Sequence, residues 1–363
     1  MRAFDDKLPL DLIDFSQYLP DLTTPGFDPD TIRSNLKSNL RLRSIVAGLP
    51  VNDAAAAASE ALVEAGISAT LKSINDPGVE LDPAEILGQE AVIRLTERPA
   101  LLVKNDSFAL PPQRWARLDS PYRSDVERLL PLVGRVDMAT GNTRTMLGTA
   151  FVVSEDLIMT NMHVVELFAD PAPDYSRWVI RHGALPTVDF KAEHDIPTRK
   201  QFKITDVVLG HNRFEAERMK SLDLALLRVE RLSFAPAGVF LPKPVALSSA
   251  APSDDDDKDL YLVGYPWTDN ENVVPPEIMQ AIFNDIYQAK RLQPGEYGAA
   301  FDDFLAFSHD CSTLGGNSGS CVVDLQAGKV IGLHFRGLYK RSNYALQIWR
   351  LKETLSGYGL NFQ

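Results

Sequence analysis

Serine, histidine and aspartate side chains can together make a nucleophile, and this 363-residue chain offers one of each in a suitable setting. Ser318 lies in TLGGNSGSCVVD (313–324), where three glycines surround one hydroxyl and an apolar run follows at once. Such a loop can bring backbone N–H groups and a side chain close to a ligand. A plain tight turn ahead of a strand is the other reading of the same residues. His163 lies in GTAFVVSEDLIMTNMHVV (148–165), after a strand that ends in a small polar turn. A general base facing a cleft would be placed this way, and a buried structural histidine is the alternative. Asp223 opens DLALLRV (223–229), ahead of an unbroken apolar strand. Its carboxylate is expected to be partly buried and to need a partner, unless it only caps the strand.

Put together, the three residues define a reaction. A serine hydroxyl is a poor nucleophile until a base takes its proton. Histidine does that, and aspartate fixes the imidazole tautomer and stabilises the imidazolium. The oxyanion that develops needs two converging backbone donors, for which Gly316 and Ser318 are the candidates. The chain order His, Asp, Ser is one of the known orders for this constellation.

The elements that must position these residues read as short strands from about Pro111 onward: 132–138, 148–154, 157–160, 223–229, 260–266, 320–325 and 329–335. Gly-, Pro- and Asp-rich turns separate them, which argues for antiparallel barrels or sandwiches over a parallel α/β sheet. An insertion at 275–295 has helical spacing at Ile278, Ile282 and Ile286. Before residue 90 the pattern is helical: Ile32, Leu36, Leu40 and Ile45 share roughly one face. A second helix spans about Asp53 to Ala65, with Asp53 as N-cap and Gly66 as stop.

The three quoted motifs resemble the bacterial trypsin-like serine peptidases of the chymotrypsin fold, over about residues 126–352. The Gly-Asn-Ser-Gly element at 316–319 is the most specific part of the likeness. The resemblance implies a mainly β fold of two six-stranded antiparallel barrels, preceded by a small helical module, with the active site between the barrels. It places His163 and Asp223 in the first barrel (126–238) and Ser318 in the second (239–352). Residues 1–90 then form the helical module, 91–125 a connecting segment and 126–363 the peptidase domain. The implied activity is serine endopeptidase chemistry through an acyl-enzyme, with no cofactor and no metal. A catalytically degenerate fold serving as a binding or scaffold module is the rival. Ala150 stands where this family usually has glycine and Cys321 where it often has proline, and neither touches the three roles.

The strand 330–337 matches the segment that walls the primary specificity pocket in this fold. His334 sits where glutamyl endopeptidases carry a histidine, and Thr313 where they carry a hydroxyl residue. An imidazole and a hydroxyl can each hydrogen-bond a carboxylate, so Glu or Asp (or Gln) before the cut is the implied preference. Arg336 could add positive charge at the rim, and His309 is expected to be structural. The alternative is a packing role for His334 and a pocket for small apolar side chains.

Composition bounds the partners. With 37 basic and 49 acidic residues the net charge is −12, which disfavours nucleic acid and anionic membranes. The N-terminus has acidic residues where a signal peptide has an apolar core, and no window is long and apolar enough for a span. A reduced, cytoplasmic protein with protein or peptide substrates is expected, and a regulatory partner could dock on the helical module. Two cysteines are too few for a disulfide scaffold, although a Cys311–Cys321 bridge is conceivable. The acidic run Asp254–Asp257 is expected to be a solvated loop.

Overall fold

The structure, a computed structural model, describes residues 29–30, 32–33, 53–76, 79–140, 143–174, 176–210, 222–231, 240–252, 259–268, 276–337 and 343–363. Most of the helix expected around Leu36, Leu40 and Ile45, and the acidic run at 254–257, lie outside these residues.

The N-terminal part is a pair of packed helices, α1 (Asp53–Asn75) and α2 (Pro83–Thr96). Gly66 does not stop α1, which runs on for nine more residues. The two backbones touch there: a Cβ on Gly66 would lie 2.0 Å from the Gly88 carbonyl oxygen. Glycine serves close helix approach at this point, not a C-cap. The boundary expected at residue 90 falls inside α2, and the chain then enters a hairpin of β1 (Leu101–Lys104) and β2 (Ser107–Phe108).

The first barrel is built from β3 (Val133–Thr140), β4 (Thr143–Val152), β5 (Leu157–Thr160), β8 (Leu185–Asp189), β9 (Gln201–Gly210) and β10 (Ala225–Arg231). A short helix α3 (Met162–Val165) follows β5, and β6 (Ala169–Pro171) pairs with β7 (Trp178–Ile180) as a separate hairpin. The six strands close in the order β10-β5-β4-β3-β8-β9, all antiparallel. Strand β4 starts exposed at Thr143 and ends buried from Thr149 to Val152, so it carries its chain from solvent to the centre of the molecule.

The second barrel comprises β11 (Asp259–Gly264), β12 (Arg291–Phe301), β13 (Ala306–His309), β14 (Cys321–Asp324), β15 (Val330–Gly337) and β16 (Asn343–Gln347). Its order is β11-β14-β15-β16-β13-β12, closed by the β11–β12 pairing, and β1 extends the sheet beside β12. The fold is therefore two six-stranded antiparallel barrels with helices at the N-terminus. One apolar core runs from Val133 and Phe151 in the first barrel to Val323 and Leu333 in the second.

The insertion at 275–295 is helical only over α4 (Pro276–Phe283). Asn284 and Asp285 both take positive φ, 54° and 52°, which ends the helix, and the chain re-enters the sheet as β12. α4 packs Ile278, Met279, Ile282 and Phe283 against Leu62 of α1 and Ala91 of α2. Arg291 is fully buried and donates to the carbonyl oxygens of Ala100 (2.5 Å), Phe283 (2.6 Å) and Ile286 (3.0 Å). Both terminal nitrogens of its guanidinium are thus met by backbone dipoles, which ties the exit of α2 to α4 and β12. Cys311 and Cys321 are both free, buried thiols, and burial pushes the Cys321 thiol up to about 12.

Candidate active site

His163 and Asp223 meet at one end of the first barrel. Asn161, in extended conformation, leads into α3, whose Met162, Val164 and Val165 are buried while His163 keeps 27 % of its side chain exposed. Asp223 sits between buried Leu222 and Leu224, just ahead of β10, and its own side chain stays partly exposed. One carboxylate oxygen, Oδ2, lies 2.6 Å from His163 Nδ1, and the other accepts the His163 backbone N–H at 2.9 Å. Asn161 Nδ2 donates to the Asp223 carbonyl at 2.8 Å. Ring and backbone of His163 are thus both held by one carboxylate, which leaves Nε2 as the second ring nitrogen.

Ser318 is half-buried at the facing end of the second barrel. Gly316 and Gly319 flank it with φ of 87° and 90°. Gly319 has a steric reason as well: a Cβ there would lie 2.0 Å from the Thr149 carbonyl oxygen and 2.4 Å from Thr160 Oγ1. The loop is stitched to β4, since Thr149 N–H donates to the Ser318 carbonyl at 2.9 Å and Thr149 Oγ1 to the Gly316 carbonyl at 2.8 Å. A side chain at Gly148 would meet Val164 at 2.8 Å and the Ser318 carbonyl at 3.1 Å, so this loop and α3 flank the same point on β4. Among the described residues, neither the Gly316 nor the Ser318 N–H donates a backbone hydrogen bond, whereas those of Asn317 and Gly319 do.

The residues expected to shape the pocket lie on β15 and in the loop before Ser318. His334 on β15 is 2 % exposed, and its Nδ1 is 3.1 Å from Nε2 of His309 on β13. Burial holds the His334 imidazole well below the usual range, with the charges of His309 and His163 adding to the effect, and it pushes His309 down to about 4. Both rings are therefore neutral, and the pair brings in His309, which the sequence suggested was merely structural. No local signal pointed to the pair, because the partner lies two strands away in the barrel order β13-β16-β15. Thr313 Oγ1 is bonded to Asn343 Oδ1 at 2.5 Å, and Asn343 Nδ2 donates to the Cys311 carbonyl at 2.8 Å. That second bond fixes the amide orientation, so Thr313 is the donor and its proton points at Asn343. Arg336 is half-buried on β15, and burial lowers it from the usual arginine range.

Residues 148–333 match the family of trypsin-like peptidase domains, just over half of the chain and including strands of both barrels. The chain belongs to the trypsin-like peptidase family. A probable serine protease of Lysobacter enzymogenes is 29 % identical over 315 residues, covering 78 % of each chain. The Rv3671c protease of M. tuberculosis, in its active form, aligns with 68 % of this chain and 87 % of its own at 19 % identity and a TM-score of 0.40. A serine endoprotease from Yersinia pestis aligns with 66 % of this chain and 68 % of its own, at 18 % identity and a TM-score of 0.39. This trypsin-like peptidase is a serine-type endopeptidase, a hydrolase acting on protein or peptide substrates. The family match begins at β4, so α1 and α2 lie outside it.

Proposed function

We propose that this peptidase works through an acyl-enzyme at Ser318, with His163 as general base and acid and Asp223 as its orienting partner. The observation that carries the reading is the His163–Asp223 pair, in which one carboxylate engages ring and backbone together. Asp223 keeps the proton on Nδ1, so the Nε2 lone pair is the one that can act as base. Nε2 takes the Ser318 Oγ proton as Oγ bonds to the scissile carbonyl carbon. The carbonyl oxygen becomes an oxyanion held by the N–H groups of Gly316 and Ser318. Collapse breaks the C–N bond, with the proton passing from Nε2 to the leaving amine. Water then repeats the cycle on the ester and frees Ser318.

The preferred residue before the cut is Glu or Asp (or Gln). His334 supports this, because its Nδ1 faces His309 and its Nε2 is the nitrogen available to a substrate. A neutral imidazole donor accepts Gln and Glu alike, and an entering carboxylate favours protonation of the ring, matching charge with charge. Thr313 must turn its hydroxyl away from Asn343 to contribute a donor, so His334 carries most of the recognition.

A fluorophosphonate probe should label the wild type and leave Ser318→Ala unlabelled, and a peptide library should rank Glu, Asp and Gln above Leu and Lys. A folded wild type that takes no label would instead fit a degenerate scaffold. Preference for Arg, Lys or large apolar residues would end the acidic-pocket reading and leave the triad standing.

A further inference from the structure

The N-terminal helices reach the segment before Ser318 through one buried arginine. Arg98 follows directly on the end of α2 and is 4 % exposed. Its Nη2 donates to Asp310 Oδ2 at 2.5 Å, and its Nη1 to the Glu97 carbonyl at 2.7 Å. Asp310 uses its other oxygen to accept the Glu296 N–H at 2.6 Å, so one carboxylate joins β12 to the arginine. Two residues on, Ser312 Oγ donates to the Arg98 carbonyl at 2.7 Å and accepts Arg94 Nη1 at 3.4 Å, while its own carbonyl accepts from Gln293. Leu314 then packs on the cluster formed by α1, α2 and α4.

These contacts hold a short segment whose neighbouring residues each have a contact of their own. His309, next to Asp310, sets the ring of His334. Thr313, next to Ser312, is bonded to Asn343 at the start of β16. Leu314 leads into Gly315 and Gly316. Asp310 and Ser312 are thus the anchoring residues of the segment, tied on one side to β12 through Glu296 and Gln293 and on the other to Arg98 and Arg94, which lie outside the barrels. Arg98 and Arg94 come from a part of the chain that the family match does not include.

We propose that Arg98 is a positioning residue for the primary specificity pocket: through Asp310 and Ser312 it fixes the 309–314 segment, so that α1 and α2 belong to the working site. The inference rests on Ser318 being the nucleophile and on the pocket lying between the 309–314 segment and β15, but not on which side chain the pocket favours. Charge-assisted bonds between a buried guanidinium and a half-buried carboxylate are strong and directional, and a shift of about 1 Å in a positioning element can cost about a hundredfold in rate.

The test compares Arg98→Ala, Arg98→Lys and the near-isosteric Asp310→Asn on two peptides that differ only before the cut. One carries the library's favoured side chain and the other alanine. The expected result is a kcat/KM on the favoured peptide lowered by about tenfold or more in Arg98→Ala and Asp310→Asn, mostly in KM. The alanine peptide and the fluorophosphonate labelling rate should change by less than about threefold, and Arg98→Lys should recover part of the selectivity. Should Arg98→Ala not fold, Asp310→Asn and Arg98→Lys carry the comparison. Equal slowing of both peptides, or unchanged selectivity in a labelled Asp310→Asn protein, overturns the proposal. A wild type that takes no label would overturn the nucleophile assignment beneath it, a result distinct from either.

Discussion

His309 Nε2 lies 3.1 Å from His334 Nδ1 with both rings enclosed, and this contact decides which nitrogen carries each proton. His309 Nδ1 is buried with no hydrogen-bond partner. If His334 donated to His309, that Nδ1 would have to hold a proton and would become a buried orphan N–H. With His309 donating, Nδ1 is only an unmet acceptor, the more tolerated of the two. On this network the His334 proton sits on Nε2, turned to whatever enters the pocket. His309→Gln retains an N–H donor at this place and should keep selectivity, whereas His309→Leu should lose it. Kinetics on Glu and Leu peptides check both, and equal selectivity in the two variants would refute the assignment.

Neutral rings make the proposed acidic preference depend on pH. Entry of a carboxylate favours a protonated His334, and that costs more as pH rises above its free value. The ratio of kcat/KM for a Glu peptide over its Gln counterpart should therefore fall as pH goes from about 5 to about 8. A ratio that stays level or climbs over that range would count against His334 as the receiving group.

The same rings predict acid sensitivity of the fold. Both are held below the free imidazole value in the folded state, His309 at about 4. Between that value and 6.5 the unfolded chain binds more protons, so stability rises with pH across this window and is lost as pH falls through it. Thermal unfolding from pH 7 to pH 4 should show a declining Tm, with a shallower decline in His309→Gln. Parallel curves for the two proteins would argue that other groups set the slope.

Removal of any of the three proposed catalytic groups should cost several orders of magnitude. Ser318→Ala and His163→Ala are expected to lower kcat by about 10⁴–10⁶, and Asp223→Asn by about 10⁴. The double variant His163→Ala/Ser318→Ala should be hardly worse than either single one, because the residues act as a unit. Turnover measured in all four proteins, with independent multiplication of the losses, would contradict this.

Contact between Gly66 and Gly88 leaves no room for a methyl group. Gly66→Ala should cost about 1–3 kcal/mol by overpacking, read as a lower denaturation midpoint, although alanine has the better helix propensity. A stabilised variant would mean that the helices can part without penalty.

What could be read from the chain alone followed from local pattern. Gly316–Gly319, the strand before His163 and the apolar run after Asp223 each carry their signal within a few residues, so the fold class and the candidate triad were legible. Gly66 was misread because a helix stop and a helix crossing look the same until Gly88 is known to lie opposite. The helix expected over 275–295 ends early because two successive residues of positive φ override its spacing at Ile286. His309–His334 and Arg98–Asp310 join strands and helices that no periodicity brings together, so they surface only with the topology.

Thr149 is one residue of β4, yet it fastens the Ser318 loop twice over, while Arg98 does the same for the loop's approach from the far end of the chain. During synthesis these holders emerge well before the segment they hold. Residues 94–98 and 149 must wait for 310–319 before any of these contacts can close. Between residues 163 and 318 a nascent chain therefore carries the proposed base and its brace with no proposed nucleophile to activate. The hazard of a half-made protease is met by the order of the sequence itself.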